Sequence, residues 1–563
     1  MPGGLLNIAA QGAENVILTG NPSKTFFQTT YKKYTNFGLQ RFRIDRNGSR
    51  ILNYNSETEM KFKIPRYAEL LWDTYLVVNM PDIWSPFFWT NDIPNKQTPF
   101  EFQWIEKIGA LMIKDITIYA GSNILSRYSG EYMSVAIERD EPSKKELWNR
   151  MVGNVNAMTN PEAAYQNGHF YPNTQYNKEP ENDFQPTDVK PSIKGRKLYI
   201  PLESWFCQKN GKLALPLVAL QYQEVEISIR FRPIKELYTI LDVNNIDETT
   251  GKGKRIAPKS DEIHDLYWFM QPPQDPSGIV PLGKPTGSTQ IDNYSHYYKK
   301  NTWNADIHLL GTYVFLSDDE MRVFAASEHK YLVKEIYEHD NLNIGGSRRV
   351  DIPSRDMVSS YAFRFRRSDV YLRNQWANYT NWEFENISPK VLIPISIMDD
   401  AAYLPGFDYY GFMKTPALKI NTIHSKMILL DMGILLGAEY RENTLDAGIY
   451  NYVEKWIRSD GIAKDGLYLY NFAVNTNRNY YQPSGAQNTN KWKYVTFEFN
   501  TIHPPIDTSG NEVSVLCDED GAIIGIRKDS QRLNQWNYDL RIFEERYNMI
   551  VIQGGSIGLL NAR

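Results

Sequence analysis

Residues 198–233 constrain the fold of this chain more than any other stretch, because they contain a strand, a loop and a second strand in close succession. The second strand alternates large apolar residues with polar ones, and its apolar members are Val225, Ile227, Ile229 and Phe231. A period of two is typical of a strand with one face in a core and the other in water. The segment carries no pattern typical of a catalyst, so it favours a structural β protein.

The length and composition of the chain extend this prediction. With 563 residues it exceeds what one hydrophobic core usually supports, which predicts two domains. Aromatic residues make up 13% of the chain and favour strands, where they pack across a pleated face. Thirty prolines and 35 glycines supply the turns that many short strands need. The sequence therefore indicates β structure with long loops.

Charge and cysteine content exclude several classes of function. A formal net charge of −4 leaves no excess of cations for phosphates, so we expect no direct binding to nucleic acid. Cys207 and Cys517 are the two cysteines and are far apart in sequence, which favours unpaired thiols in a reducing compartment. The N-terminus lacks the pattern of a signal peptide, and the apolar run 427–436 is too short to span a membrane. These features predict synthesis in the cytosol.

The N-terminal region carries a helix signal. Asn21 suits a helix cap, Pro22 suits the first helical position, and Phe27, Tyr31 and Tyr34 follow at helical spacing. This pattern predicts a short helix whose apolar stripe needs a covering partner.

Strand patterns then follow in two series. In the first half they lie at 60–64, 70–78 and 116–120, and the polar stretches 154–195 and 249–301 are predicted to be surface insertions between strands. Ser317 and Glu320 form a capping-box pattern that predicts a helix over 318–327. The second series of strand patterns lies at 361–366, 426–436, 468–474, 494–499, 523–526 and 549–552. Two successive antiparallel sandwiches fit this spacing best.

Candidate chemical motifs all have simpler explanations. Gly554, Ser556 and Gly558 match the G-x-S-x-G pattern of a nucleophile elbow, but only residues 559–563 follow, too few for a helix and the partner residues. The eight histidines, including His329 and His339, show no spacing typical of metal ligands. We therefore predict no catalytic, cofactor-binding or metal site and no enzymatic activity.

Two charged clusters also have structural interpretations. Asp318, Asp319 and Glu320 begin a predicted helix, where the helix dipole favours acids. Arg364, Arg366 and Arg367 form a small basic patch on a strand, which predicts a solvated face or a subunit contact.

Five segments, in this order, resemble sequence signatures of the major capsid proteins of nucleocytoplasmic large DNA viruses. They are Leu18–Pro22 (LTGNP) with Phe26, Phe27 and the run 31–37; 198–224, where Gln223 replaces the family's histidine; 316–332 (LSDDEMRVFAASEHKYL); 472–488 with its QPSG; and 547–558. The run 432–456 preserves only parts of the family pattern.

The resemblance implies an all-β fold of two consecutive eight-stranded antiparallel jelly-roll sandwiches with long loop insertions and a few short helices. The expected organisation is an N-terminal arm (1–24), a first jelly roll (25–325), a linker (326–340) and a second jelly roll (341–563). We expect loops 154–195 and 249–301 to project outward, and residues 1–20 to lie beneath the assembled particle.

The function implied by the resemblance is structural. Three copies would form a capsomer of nearly hexagonal outline that tiles an icosahedral virion shell. The implied partners are further copies of this chain, minor capsid and penton proteins, and internal viral membrane proteins, with assembly in the host cytoplasm. The alternatives are a minor capsid paralogue of the same family and a jelly-roll carbohydrate-binding protein.

Overall fold

The structure is a computed structural model. It describes residues 3–10, 12–46, 48, 51–85, 87–89, 97–99, 101–160, 175–176, 189–246, 253–259, 264–270, 303–386, 425–461, 464–480, 482–505, 513–517, 523–528 and 534–561.

Strands are the main regular secondary structure of the described residues. Those of the first half are β1 (Phe37–Ile44), β2 (Thr58–Lys63), β3 (Leu70–Asn79), β4 (Phe87–Trp89), β5 (Gln97–Pro99), β6 (Gln103–Trp104), β7 (Ile113–Ala120), β8 (Asn123–Tyr128), β9 (Gln175–Tyr176), β10 (Val189–Lys190), β11 (Lys197–Pro201), β12 (Leu215–Pro216), β13 (Val225–Phe231), β14 (Tyr238–Ile246), β15 (Gly253–Ile256) and β16 (His308–Leu316). Those of the second half are β17 (His329–Ile344), β18 (Ser347–Ile352), β19 (Met357–Arg367), β20 (Leu429–Leu436), β21 (Glu439–Asp446), β22 (Leu467–Asn471), β23 (Gln487–Asn488), β24 (Val495–Thr501), β25 (Val513–Cys517), β26 (Ile523–Lys528), β27 (Tyr538–Gln553) and β28 (Ser556–Leu559).

The helices are short. They are Gly3–Ala9, Val16–Thr19, Ile108–Leu111, Gly130–Asp140, Lys145–Met151, Asn156–Thr159, Leu266–Phe269, Asp318–Ala326 and Glu454–Arg458, the last continuous with a π-helical turn at Ile449–Val453. Within the described ranges, no helix is long and apolar enough to cross a membrane.

The principal strands form two sandwiches with the same connectivity. The first sandwich pairs the sheets β1-β16-β3-β11 and β2-β13-β7-β8, and the second pairs β17-β27-β19-β22 and β18-β24-β20-β21. If the eight principal strands of each sandwich are counted in chain order, both read 1-8-3-6 and 2-7-4-5, with every pairing antiparallel. This is the strand order of a jelly roll. The prediction of two eight-stranded jelly rolls is therefore confirmed.

The alternating patterns correctly located the strands at the centre of each sheet. In β13, the four apolar residues that define the pattern are buried, and β13 pairs with β2 on one side and β7 on the other. The helix after Ser317 is also present, as Asp318–Ala326, although Ser317 makes no side-chain capping bond.

The helix predicted after Asn21 is wrong. Asn21 has a left-handed backbone (φ 50°), which does not suit a helix cap, and residues 20–36 contain no helix. Phe27 is 99% exposed, and Tyr31 and Tyr34 are also exposed. Apolar side chains that stay exposed gain little packing energy, so they do not stabilise so short a helix.

The linker predicted at 326–340 is mostly strand. β17 begins at His329 and pairs along its length with β27, so Ser327 and Glu328 alone separate it from the preceding helix. The division into residues 1–24, 25–325 and 341–563 otherwise stays a prediction.

Most of the two predicted loops lies outside the described residues. Within 154–195, the two-residue strands β9 and β10 pair antiparallel. Within 249–301, β15 pairs with β14, and Leu266 and Phe269 are fully buried in the first core. This part of the second loop is therefore not a surface insertion, because it contributes to the packing of the sandwich.

The first hydrophobic core extends into the second sandwich. Besides residues of the first sandwich, it contains side chains from one face of β17, β19, β22 and β27: Ile336, Ala362, Leu467, Leu469 and Phe543. The opposite face of the same strands belongs to the second core, through Tyr361, Phe363, Tyr468, Leu540 and Ile542. One sheet thus lies between two cores and joins the sandwiches.

Candidate functional site

The two sandwiches contact each other through buried ion clusters and apolar side chains, and we call this contact the junction. It places the helix Gly130–Asp140, which follows β8, on the outer face of the sheet β17-β27-β19-β22. Ser129 caps the helix by accepting a hydrogen bond from the Tyr132 backbone N–H at 3.1 Å. All eleven residues of the helix are buried. A surface helix would expose one side, so full burial shows that both sides of this helix are packed.

Gly130 allows the close approach of this helix to its own sandwich. A Cβ atom at this position would collide with the backbone oxygens of Ala110 and Ile113. The absence of a side chain at Gly130 therefore allows the start of the helix to lie against the helix Ile108–Leu111 and the first residue of β7.

Glu131 is the centre of the first ion cluster of the junction. Its carboxylate accepts two hydrogen bonds from Arg364 of β19, at 2.7 and 3.1 Å, and one from Arg541 of β27 at 3.0 Å. Arg366 lies 3.6 Å from the same carboxylate. Burial alone would raise the pKa of Glu131, but the three guanidinium groups hold it well below its usual value. Burial, together with neighbouring Arg364, lowers the pKa of Arg366 to about 9.

Glu545 of β27 is the centre of the second ion cluster. It accepts hydrogen bonds from Arg139 and Tyr132 of the buried helix, each at 2.6 Å, and from Ser360 of β19 at 3.0 Å. Lys334 of β17 lies 3.8 Å away. Burial opposes ionisation of Glu545, yet the charges of Arg139 and Lys334 lower its pKa to about 2.

A third cluster surrounds Glu138 at the end of the helix. Glu138 pairs with Lys107 at 2.8 Å and with Lys145 at 2.7 Å. Burial lowers the pKa of Lys107, and the two ammonium groups outweigh burial at Glu138, whose pKa falls to about 2. Lys455 from the second sandwich is also buried, and desolvation lowers its pKa to about 7.

A separate contact joins the segment after β19 to the first sandwich. The Asn374 amide donates to the carbonyls of Lys235 and Tyr238, at 2.8 and 2.9 Å, and the Trp376 indole donates to the carbonyl of Glu236 at 2.9 Å. Arg232 stacks over the Trp376 ring, 4.5 Å from its centroid. These bonds extend the junction beyond the helix.

The third contact brings together two of the segments that resemble capsid signatures. The turn between β27 and β28 meets residues 221–223: the Gly555 carbonyl accepts from the Tyr222 N–H at 3.1 Å, and the Gln223 side chain accepts from the Ile557 N–H at 2.8 Å. Gly555 has φ 79°, and a Cβ there would strike the Tyr222 ring. Both the conformation and the space therefore require glycine.

The junction binds sandwich to sandwich through paired charges and apolar packing. Its carboxylates point at cations of the same chain rather than at an open cleft. Within the described ranges, no three histidine, cysteine, aspartate or glutamate side chains are placed to hold a metal ion. The predictions of no metal, cofactor or catalytic site stay predictions, because they also concern the remaining residues.

The sequence of this chain is similar to those of known viral proteins. A family model described as "Major capsid protein N-terminus" matches residues 25–264. The chain is 25% identical over 372 residues to the major capsid protein of Chrysochromulina ericina virus, a match that covers 62% of this chain and 54% of that protein. It is 24% identical over 567 residues, covering 100% of both proteins, to the major capsid protein of Paramecium bursaria Chlorella virus 1. The chain is similar to the major capsid proteins of nucleocytoplasmic large DNA viruses.

The fold of a solved family structure agrees. The Faustovirus major capsid protein superposes with a TM-score of 0.57 at 11% identity, and the match covers 98% of this chain and 96% of that one. At this identity the likeness shows the shared fold and nothing about assembly.

Two residues of the basic patch predicted on β19, Arg364 and Arg366, lie within the junction. Arg364 and Arg367 are buried, so the solvated face predicted for them is wrong. Arg364 and Arg366 face Glu131, whereas Arg367 pairs with Asp369 at 2.6 Å. The reason is that the helix of the first sandwich, and not water, covers the face of β19 that carries Arg364 and Arg366. The other alternative, a contact between subunits, also expected a protein surface to cover the arginines. In the structure this surface belongs to the same chain.

The remaining candidate residues have structural positions. His329 lies between the rings of Phe324 and Tyr331, and the His339 ring bonds Glu544 at 2.8 Å. Cys207 is a free, half-buried thiol, and burial raises its pKa. The Cys517 side chain lies outside the described set.

The G-x-S-x-G match forms a hairpin. Gln553 pairs with Ser556 across a two-residue turn at Gly554 and Gly555, both with positive φ. A nucleophile elbow requires a strand, a turn and a helix, and here a strand follows the turn.

Sequence reasoning missed the buried helix and its acids. The segment GEYMSVAIERD carries polar residues on several sides, so it shows no clean apolar stripe. Ser129 before it was a detectable cap signal. Nothing in the sequence alone indicates that Glu131 meets arginines more than 200 positions later.

Proposed function

We propose that this chain is a structural subunit of a virus shell, in which three copies close into a capsomer and capsomers tile an icosahedral surface. The observation that carries this proposal is the junction. The first sandwich presents a helix and the second presents a sheet, so the contact is heterologous, joining two different surfaces. Heterologous contacts repeated around an axis generate closed rings.

The repetition of the fold supports a ring of six sandwiches. Both sandwiches have the same strand order, so each offers an equivalent helix position and an equivalent sheet face. With two sandwiches per chain, three chains supply six similar units. Such a ring has nearly hexagonal outline and can pack in a continuous lattice.

The proposal includes partners and location. We infer that the chain resides in the virion shell, contacts minor capsid, penton and internal membrane proteins, and is assembled in the host cytoplasm. The net charge of −4 supports a role without direct nucleic-acid binding. In this role the chain performs no chemical reaction.

Native mass measurement and electron microscopy of the purified full-length chain test this function. We expect a particle of three times the 65.3 kDa chain mass with a nearly hexagonal outline. A chain that remains monomeric at concentrations of about 100 μM, well above the dissociation constants typical of stable interfaces, would overturn the proposal.

A further inference from the structure

The second sandwich has an open cavity at one of its ends. β17, β19 and β24 end at this point, and β18 and β27 begin there. Residues that connect these strands enclose a volume of about 1040 Å³, which we call the mouth cavity. Small-molecule sites usually have volumes of roughly 300–1,000 Å³, and the mouths of closed β structures are among the places where they occur. The cavity therefore has the size and the position of a binding site.

Polar side chains dominate the lining of the mouth cavity. Four amides contribute to it, one at the end of β17 and three in the segment that leads into β27: Asn343, Asn534, Gln535 and Asn537. An amide side chain both donates and accepts hydrogen bonds, and so does a sugar hydroxyl. This set of groups fits a ligand that is rich in hydroxyls.

Backbone hydrogen bonds fix the position of this lining. The Ser368 N–H donates to the Asn537 carbonyl at 2.8 Å, and the Asn537 N–H donates to the Ser368 hydroxyl at 3.0 Å. The Gln535 N–H donates to the Pro505 carbonyl at 2.9 Å. A site whose backbone is fixed before binding loses less conformational entropy when the ligand binds.

Tyr371 supplies an aromatic surface to the cavity. It lies in the 3-10 turn Val370–Leu372 and is 53% exposed. The ring of an exposed tyrosine offers a flat apolar face together with a polar hydroxyl. The C–H face of a sugar ring packs on such a surface while its hydroxyls remain available to the amides.

Arg348 gives the cavity a positive charge. Val350 and Ile352 of β18 point into the second core, and Arg348 lies on the same face of the strand, nearer to the open end. Its exposed side chain therefore lines the mouth cavity. Arg349 points the other way and pairs with Glu498 at 3.1 Å. Arg348 has no such carboxylate partner among the residues that the structure describes.

Asp369 also lines the cavity but does not cancel this charge. Its carboxylate is already bound by Arg367 at 2.6 Å and by Arg373 at 3.0 Å. The lining therefore favours an anionic group on the ligand. A guanidinium matches a carboxylate in shape and can donate two parallel hydrogen bonds to it.

We propose that the mouth cavity binds a saccharide that carries a carboxylate. Arg348 binds the carboxylate, Tyr371 packs against the sugar ring, and the surrounding amides bind its hydroxyls. This inference goes beyond the proposed role in a shell, because the site lies within one sandwich and needs no second copy of the chain.

The cavity lies at the end of the second sandwich that matches the long insertions of the first. Residues 249–301 belong to the connection between the seventh and eighth principal strands, and the same connection of the second sandwich bounds the cavity. These ends touch, since the Ala257 N–H donates to the Leu372 carbonyl at 2.8 Å. On the proposed shell this end faces outward, where the site would meet saccharides of a cell surface. That consequence, unlike the binding itself, rests on the proposed function.

Calorimetric titration of the full-length chain tests the proposal. The acidic probes are 3′-sialyllactose and trigalacturonic acid, and their uncharged counterparts are lactose and the methyl ester of trigalacturonic acid. We expect at least one acidic probe to bind with a dissociation constant of about 1 mM or lower. Its uncharged counterpart should bind at least about tenfold more weakly, because the charge-assisted hydrogen bonds are lost. Absence of binding by both acidic probes would overturn the proposal.

Variants of the cavity locate the bound saccharide. Arg348→Gln and Tyr371→Ala should each weaken binding of the acidic probe by about tenfold or more. The matched controls are Arg349→Gln, on the other face of β18, and Tyr480→Ala. Tyr480 is 60% exposed in the connection after β22, which ends away from the mouth cavity. Both controls should bind like wild type, and a folded Arg348→Gln chain with wild-type affinity would overturn the site.

Thermal melting shows whether each variant folds. Arg348 and Tyr371 are exposed, so we expect melting curves like that of wild type. Gln535→Ala, at another exposed residue of the lining, is the second variant should either first variant fail to fold. Native mass separates this inference from the proposed function. A trimer that binds neither acidic probe overturns the saccharide site alone, and a strictly monomeric chain that binds one overturns the proposed function alone.

Discussion

Glu131 and Arg364 lie 233 positions apart in the sequence and form a bidentate ion pair, with N···O distances of 2.7 and 3.1 Å, in the centre of the junction. Both side chains are almost inaccessible to water. Arg541 binds the same carboxylate, so one acid of the first sandwich neutralises cations from two strands of the second. Burial of these charges is tolerated because each has a partner in good geometry.

Replacing Glu131 with glutamine should strongly destabilise the fold. The variant leaves Arg364 and Arg541 buried without their counter-charge, for which a loss of about 3–5 kcal/mol is expected. The free energy of urea-induced unfolding measures this loss. The matched control is Glu146→Gln, which removes an exposed pair with Arg150 and should cost less than about 1 kcal/mol. Equal losses in both variants would contradict this role of the junction.

Acid should weaken the junction in a defined pH range. The pKa of Glu138 and that of Glu545 are about 2 in the folded chain, below the ordinary 4.5. As pH falls below about 4.5, the unfolded state takes up these protons first, so the stabilisation is complete above that pH and is lost towards pH 2. Urea unfolding at several pH values should show this decline. The Glu545→Gln variant should show a shallower decline, and a slope identical to that of wild type would argue against the cluster.

Lys455 should produce a second rise of stability with pH, in the neutral to alkaline range. Burial lowers its pKa to about 7 in the folded chain, against 10.5 ordinarily. Between these values the unfolded state holds the proton and the folded state does not, so stability rises with pH from about 7 to 10.5. The Lys455→Met variant should lack this part of the rise in unfolding free energy. Lys330→Met, at an exposed site, should retain it.

Deleting residues 1–20 should leave trimers intact and impair closure of the shell. Helices Gly3–Ala9 and Val16–Thr19 carry exposed apolar residues, including Leu6, Ile17 and Leu18, which suit contacts with neighbouring subunits or a membrane. Native mass should report a normal trimer, and electron microscopy should report incomplete shells. Loss of the trimer itself would place the arm inside the capsomer.

The sequence predicted the strands well because alternation is a local property. The buried residues of β13 and the apolar face of β19 were both located from their period of two. The sequence could not predict which part of the chain covers the polar face of β19. Arg364 and Arg366 alternate with apolar residues, as side chains on a solvent-exposed face do. Only the tertiary contact with Glu131 places them in the interior.

The errors at the N-terminus and at β17 have a related cause. The spacing of Phe27, Tyr31 and Tyr34 suits a helix, but helical spacing without a packing partner does not stabilise one. β17 mixes charged residues such as Lys334 and Glu335 with apolar ones, which hides a strand. Those charges find partners, Glu545 for Lys334 and Asn548 for Glu335, only after the chain has folded.

The sheet shared by the two cores has a consequence for sequence divergence. Along β19, a residue that points one way fills the second core and its neighbour points into the contact with the first sandwich. A saturation library of this strand should therefore show intolerance at consecutive positions, whereas the outward positions of β1 should accept many replacements in the isolated chain. Selection on β19 thus acts at every position, and its variation across related viruses should be correspondingly small.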